Sequence, residues 1–116
     1  MKKLLALLAL PFIALTSPVA AEVQTSTASW YGPGFHGRTT ANGERYNQYG
    51  ISAAHKSLPF GTRVRICNQW SSKCVDVRIN DRGPYIAGRS FDLSYGAAAQ
   101  IGMLSSGVVP ITYEIL

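Results

Sequence analysis

The stretch "RVRICNQWSSKCVDVRIN", residues 63–80, decides how the chain folds. Its two cysteines, Cys67 and Cys74, flank "NQWSSK", and the segments on either side alternate apolar with charged side chains. Val64 and Ile66 interleave with Arg63 and Arg65; Val75, Val77 and Ile79 interleave with Asp76 and Arg78. A period of two sends alternate residues to opposite faces of a strand. A hairpin with Cys67 opposite Cys74 pairs Ile66 with Val75 and Val64 with Val77 on one face. The other face then pairs Arg65 with Asp76, a favourable cross-strand charge pair. One register accounts for apolar, charged and cysteine positions together, so a hairpin pinned by a Cys67–Cys74 disulfide is expected. A bridge closing so short a loop adds on the order of 2 kcal/mol. Trp70 falls at the tip, where it either stands exposed or packs back on the sheet.

The start of the chain agrees with a bridge. Lys2 and Lys3 precede an apolar run over residues 4–15, and Val19-Ala20-Ala21 supplies small residues for cleavage before Glu22. That is the order of a secretory signal peptide, and the run is short for a membrane span. Residues 1–21 are therefore read as a signal peptide and residues 22–116 as one domain, exported to the periplasm or secreted, where disulfides persist. No cysteine follows the apolar run, so no lipid anchor is expected, nor stable membrane insertion after cleavage. Without Lys2 and Lys3, 9 basic residues face 6 acidic ones, a net charge of about +3. This favours anionic partners such as wall polymers. No block of like charge and no RNA-binding or zinc motif is present, so nucleic acid is not an expected partner. His36 and His55 make no metal-binding spacing, and neither a metal nor another cofactor is expected. The domain is near the size where core burial alone gives modest stability, and a monomer is expected.

Outward from the hairpin the chain reads as short strands between turns. "STASWYG", residues 26–32, is a first strand ending at Gly32-Pro33-Gly34. Residues 35–50, "FHGRTTANGERYNQYG", are polar, rich in glycine and aromatics, and too irregular for a regular element. "ISAAHKSLPFGTRVRI" begins extended or as a short turn, breaks at Pro59-Phe60-Gly61 and enters the hairpin. "RSFDLS" leads to a short helix over "SYGAAAQIGM" with Ser94 as N-cap. "VVPITYEIL" closes the chain with Ile111, Tyr113 and Ile115 on one face. "LPFG" before one strand and "LSSG" before the last share Leu-x-x-Gly, at Leu58/Gly61 and Leu104/Gly107, a faint echo of two related halves. Short strands with little helix give a mainly β fold, closed as a small barrel.

Residues 28–66 and 77–103 carry "SWYG", "TANGE", "AAHKSLPFGT", "NDRGP" and "RSFDLSYGAA". In combination these resemble the double-psi β-barrel domain of the rare lipoprotein A family, over nearly all of the chain after residue 27. The resemblance implies a six-stranded double-psi β-barrel with one or two short helices. It also implies a wall-associated lytic transglycosylase acting on peptidoglycan glycan strands, preferably those stripped of peptides. This chain departs from the family pattern in lacking a lipobox cysteine and a C-terminal peptidoglycan-binding repeat. It also reads "GERYN" where members commonly end that motif in Asp, so Asn47 stands at the acid's place. Asn47 can still hold a sugar hydroxyl but cannot carry a proton.

A lytic transglycosylase needs one acid to protonate the glycosidic oxygen, and the same group can then deprotonate the muramyl C6 hydroxyl. The resemblance implies Glu44 as that proton donor, with His55 and Asp81 as further catalytic residues. The spacing of Asp81 and Asp92 also resembles expansins and related barrel endoglucanases, where two aspartates line the sugar cleft. Close approach would raise one of their pKa values, and a nearby Arg82 or Arg89 would lower it again. Alternatively Asp81 caps the turn at Arg82-Gly83-Pro84 and Asp92 accepts backbone amides before the helix. Trp30, Tyr31, Tyr46, Tyr49 and Tyr85 are candidate stacking surfaces for sugar rings, with Tyr46 and Tyr85 preferred because they sit in the acid-bearing loops. Two other functions fit the same residues: a non-catalytic, expansin-like wall-binding module, and a barwin-like module that binds a protein.

Overall fold

The computed structural model describes residues 22–116; the expected signal peptide, residues 1–21, lies outside them. Six strands and one helix follow in order: β1 (Gln24–Trp30), β2 (Ser52–Ala54), β3 (Arg63–Asn68), β4 (Cys74–Asp81), β5 (Phe91–Leu93), α1 (Tyr95–Gln100) and β6 (Val108–Ile115). The strands close a barrel in the order β1-β5-β2-β4-β3-β6. Two pairings, β1 with β5 and β2 with β4, are parallel; the other four are antiparallel.

Adding three to each strand number, cyclically, returns the same set of neighbours. The parallel pair β1/β5 becomes β4/β2, and β1/β6 becomes β4/β3. The antiparallel pairs β2/β5 and β3/β6 map onto themselves. The two Leu-x-x-Gly segments therefore sit at corresponding places, ahead of β3 and β6. Leu58 and Leu104 both pack against the core, and Gly61 and Gly107 both take positive φ, 90° and 74°. That backbone is easy for glycine and strained for other residues.

Alternation in the strands builds the core. Val64, Ile66, Val75, Val77, Ile79, Val109 and Ile111 point inward from β3, β4 and β6 and are buried. Across β5 the packing pairs small with large: Ala28 lies opposite Phe91, and Ala53 opposite Leu93. Ile101 and Met103 close one end. Each such aliphatic side chain contributes roughly 1.5–3 kcal/mol when fully buried. On β6 the expected face holds, although Ile111 is buried, Tyr113 half-buried and Ile115 exposed where the strand runs out of the barrel.

The hairpin has the register read from sequence: Val64↔Val77, Arg65↔Asp76, Ile66↔Val75 and Cys67↔Cys74. Cys67 and Cys74 are joined, with Cα atoms 4.0 Å apart. Arg65 grips Asp76 with two bonds of 2.8 and 3.0 Å on the outer face. Trp70 stands exposed at the tip. Beneath it the buried Asn68 donates to the Ile101 carbonyl and accepts from the Trp70 amide, tying the hairpin to the end of α1.

Ser94 caps α1 as expected, accepting from the Ala97 amide. Its hydroxyl also donates to the Gly50 carbonyl at 2.8 Å, so the cap fastens the long loop before β2. Gly96 explains how close that loop comes. A Cβ there would meet the Gly50 and Tyr49 carbonyl oxygens at 2.7 and 2.9 Å. Residues 31–51 otherwise hold no strand, only an isolated bridge between Thr39 and Arg45.

Candidate functional site

The barrel's pairing register assembles a row of polar residues. Ser29 on β1 lies opposite Asp92 on β5, Asp92 opposite Ala54 on β2, and Ala54 opposite Asp81 on β4. The two aspartates thus flank one alanine, two strand spacings or about 10 Å apart at the backbone. Their neighbours Ala28, Ala53, Phe91 and Leu93 fill the interior, so Ser29 and Asp92 stand on the outer face. A β-bulge brings Asp81 to that row. Ala53 pairs with Ile79 but Ala54 pairs with Asp81, so Asn80 is the extra residue. Without it, strict alternation would turn Asp81 inward with Ile79.

Residues 31–51 fold over this row. Asp81 Oδ1 accepts from the Ala41 and Arg82 amides, both at 2.9 Å, and Oδ2 accepts from the Tyr31 hydroxyl at 2.5 Å. Burial, together with that bond to Asp81, raises the Tyr31 hydroxyl far above the usual phenol range. Tyr31 therefore stays a donor. Asp92 has a different setting. Among the described residues its one side-chain partner is the Ser29 hydroxyl, at 3.3 Å. Burial pushes its carboxyl up to about 6, with the Asp81 charge adding to the shift and Ser29 and Arg89 opposing it. Burial disfavours a charge that one weak hydrogen bond cannot compensate.

Tyr31, Phe35, Arg38, Tyr46, Asp81 and Arg82 line a cleft of about 320 Å³. A second cleft, about 300 Å³, is lined by Glu44, Arg45, Asn47, Ser52, Arg78 and Asn80. Adjacent residues at the end of β4, Asn80 and Asp81, thus serve different clefts. Glu44 Oε1 accepts from Arg78 at 2.7 Å and from Asn80 at 2.6 Å. Those two bonds hold its carboxyl below the usual range, so it is ionised near neutrality. Because Glu44 claims the Asn80 amide nitrogen, the amide's orientation is set. Its buried Oδ1 has no partner among the described residues.

The remaining expected residues divide by position. His55 follows Ala54 directly, so its amide reaches the Asp81 carbonyl at 3.2 Å while its ring packs on Phe91, with centroids 4.9 Å apart. Its Nδ1 accepts from the Ser57 and Leu58 amides. Burial, then the charges of Arg82 and Lys56, lower its pKa, which leaves a neutral ring with its proton on Nε2. Asn47 Oδ1 accepts from the Tyr49 amide and holds the turn at 47–50. Tyr46 is buried, with its hydroxyl accepting from the Tyr95 amide and its ring 4.7 Å from that of Tyr31. It lines a cleft but has no free face for a sugar. Trp30 packs on the core and meets Tyr95 edge-on. Tyr85 and Tyr49 are exposed, at 76% and 69%.

Sequence reasoning missed Phe35, Arg38, Arg78 and Asn80 in these clefts, and Ser29 beside Asp92. Asn80 was open to notice, as the residue beside Asp81 in "NDRGP". Arg78 was assigned only to the outer face of the hairpin. Nothing short of the β1/β5 register puts Ser29 against Asp92. Among the described residues no three His, Cys, Asp or Glu side chains cluster as metal ligands.

Comparison with known proteins identifies the family. A family model described as "Lytic transglycolase" matches residues 23–113. The probable endolytic peptidoglycan transglycosylase RlpA of Synechocystis sp. is 57% identical over 94 residues, 81% of this chain and 29% of that protein. The endolytic peptidoglycan transglycosylase RlpA of Campylobacter jejuni is 50% identical over 95 residues, 82% of this chain and 34% of that protein. The chain thus spans about a third of the length of these relatives. Among solved structures, a Clavibacter michiganensis expansin superposes with a TM-score of 0.65 at 21% identity, covering 82% of this chain and 50% of that one. The Streptomyces papain inhibitor does so with 0.64 at 20% identity, covering 82% and 94%. At such identities the last two likenesses show the barrel fold alone. The match over residues 23–113 and the RlpA relatives bear out the rare lipoprotein A resemblance: the chain belongs to the lytic transglycolase family, as a double-psi β-barrel domain.

Proposed function

We propose that the domain is an exported lytic transglycosylase that cleaves peptidoglycan glycan strands, with Asp92 as its acid and base. What supports this reading most is the position of the half-buried Asp92 carboxyl, two strands away from Asp81 in the same row, where burial pushes it up to about 6. A group with that pKa holds a transferable proton near neutral pH and accepts one back readily. Asp92 gives its proton to the glycosidic oxygen as the bond from that oxygen to muramyl C1 breaks. The Asp92 carboxylate then takes the proton of the muramyl C6 hydroxyl while that oxygen bonds to C1. A 1,6-anhydro ring forms, no water is consumed, and Asp92 ends protonated as it began. Asp81 and Tyr31 form a polar wall beside this chemistry.

The resemblance assigned the proton to Glu44, whereas its fixed pairing with Arg78 and Asn80 favours an anionic role. In this reading Glu44 presents a charge and an open oxygen to a sugar bound in the second cleft. His55 positions the row through the hydrogen bond its backbone amide donates to the Asp81 carbonyl, and Asn47 holds the turn that flanks the second cleft. The RlpA relatives, named as endolytic peptidoglycan transglycosylases, support the substrate class.

The test is digestion of peptide-free glycan strands, with anhydromuropeptides read by mass spectrometry. Asp92→Asn should release none while still binding the strands. Glu44→Gln should slow release about ten-fold, with the fall in kcat/KM above about pH 6 unchanged. A profile whose high-pH fall disappears in Glu44→Gln and persists in Asp92→Asn would return the proton to Glu44. A second reading, a non-catalytic expansin-like polysaccharide binder, draws on the exposed rings of Tyr49 and Tyr85. Binding without any anhydro product from the unsubstituted protein would favour it.

A further inference from the structure

The Asp81 cleft holds more positive charge than its one acid accounts for. Arg38 and Arg82 both line it. Arg65 grips Asp76 and Arg78 grips Glu44, but among the described residues neither Arg38 nor Arg82 is in an ion pair. Each is instead laid on an aromatic ring. The Arg38 guanidinium lies 5.3 Å from the Phe35 centroid and that of Arg82 3.9 Å from the Phe60 centroid. Arg82 is fixed further by Nη1, which donates to the His55 and Asp81 carbonyls at 3.3 and 3.4 Å, and its Nε and Nη2 have no partner among the described residues. Phe35 and Phe60 are large apolar residues left exposed, at 41% and 42%, and backing a guanidinium gives each a purpose.

Asp81 does not absorb this charge through side-chain pairing. Its oxygens already accept from two backbone amides and from Tyr31. Two stacked guanidiniums with open N–H edges fit a planar anion, and arginine binds a carboxylate through paired charge-assisted bonds. Stacking restrains the side chains beforehand, so less freedom is lost on binding.

We infer that Arg38 and Arg82 form a carboxylate subsite for the free lactyl group of a muramic acid residue. The inference rests on the glycan-cleaving function proposed above and adds what selects the strand. In peptidoglycan glycan, alternate sugars carry a lactyl ether. Its carboxyl is an uncharged amide where a peptide is attached and an anion where the peptide has been removed. An arginine pair therefore distinguishes peptide-free strands by charge, while the sugar backbone is common to both.

The probes are three oligosaccharides of equal length: peptide-free muramyl glycan, the same glycan with its lactyl carboxyls converted to carboxamides, and chitooligosaccharide. Binding is measured by calorimetry to the full chain carrying Asp92→Asn, so that no probe is consumed. The carboxylate form should bind at least about ten-fold more tightly than the other two, as expected for one charge-assisted pair. The preference should shrink as salt is raised. Arg38→Gln and Arg82→Gln, each shown to fold by circular dichroism, should reduce it, and together abolish it. Equal affinity for carboxylate and carboxamide glycans overturns the inference, as does a preference that survives in the double variant. The catalytic proposal fails separately. Charge preference without anhydro products from the unsubstituted protein leaves the subsite standing and removes the chemistry; lysis without charge preference does the reverse.

Discussion

At its Cys74 end, strand β4 buries Val75 and Val77 and turns Asp76 outward to Arg65, one strand away. At its Asp81 end the same strand buries Asn80, inserts it as a bulge, and binds Glu44, Ala41 and Tyr31, which lie 36 to 50 residues away in the chain. The first end is organised by alternation and a covalent link between neighbours. The second breaks alternation, and its polar groups are satisfied by a loop with almost no regular structure. Stability is concentrated where the pattern is regular, and chemistry where it is interrupted.

Substitutions at the two ends should therefore separate activity from stability. The largest effect is expected in the acid row, where Asp92→Asn should lower lytic turnover by roughly 10²-fold or more. Its effect on stability runs the other way. The folded pKa of about 6 lies above the ordinary 3.8, so the native state holds more protons than the unfolded chain between about pH 4 and 6. The unsubstituted protein therefore loses stability as pH rises through that window. Asp92→Asn removes this dependence and should melt higher than the parent at pH 7.5, with the gain vanishing by pH 4. Calorimetric melts at both pH values check it, and a variant that melts lower at pH 7.5 would break the comparison.

At the hairpin end, replacing Cys67 and Cys74 together with serine should cost about 2 kcal/mol. In a domain of this size that is roughly 10 °C of melting temperature. Turnover at 25 °C should stay near the parent's, because the bridge and the acid row sit at opposite ends of a strand roughly 25 Å long. A parallel loss of turnover well below the melting transition would show that the two ends are coupled. The smallest effect belongs to Arg65→Ala. Its partner Asp76 is held below the usual carboxylate range by that arginine, yet the pair is solvent-exposed and screened. The melting temperature should move little, and turnover not at all.

What could be read from the sequence follows the same division. Arg63–Asn68 and Cys74–Asp81 were legible down to the partner of each residue because alternation, charge and cysteine spacing all required one register. Ser94 as N-cap and the closing strand were legible for equally local reasons. The motifs identified Glu44, His55, Asp81 and Asp92, but their relation was hidden. Strict alternation along β4 puts Asp81 inside, and only the bulge at Asn80 brings it level with Asp92. His55, next to Ala54, faces Phe91 for the same reason of alternation. Tyr46 lies in an acid-bearing loop, yet burial leaves its ring no open face. The environment that raises Asp92 arises from burial and the Asp81 charge, against the opposing bond from Ser29, a partner 63 residues away in the chain.

The position of β5 has a consequence for the order in which the molecule is made. This three-residue strand lies between β1 and β2, both already in the chain before the hairpin, and it brings Asp92 with it. Local pairing can form the hairpin early, but both β5 pairings span long stretches of chain and are slow to close. Until β5 docks, the barrel is open and Asp92, the proposed proton donor, is out of place. On the proposed mechanism a nascent or partly unfolded chain is inert toward glycan, and lytic competence arrives only with the last closure of the fold.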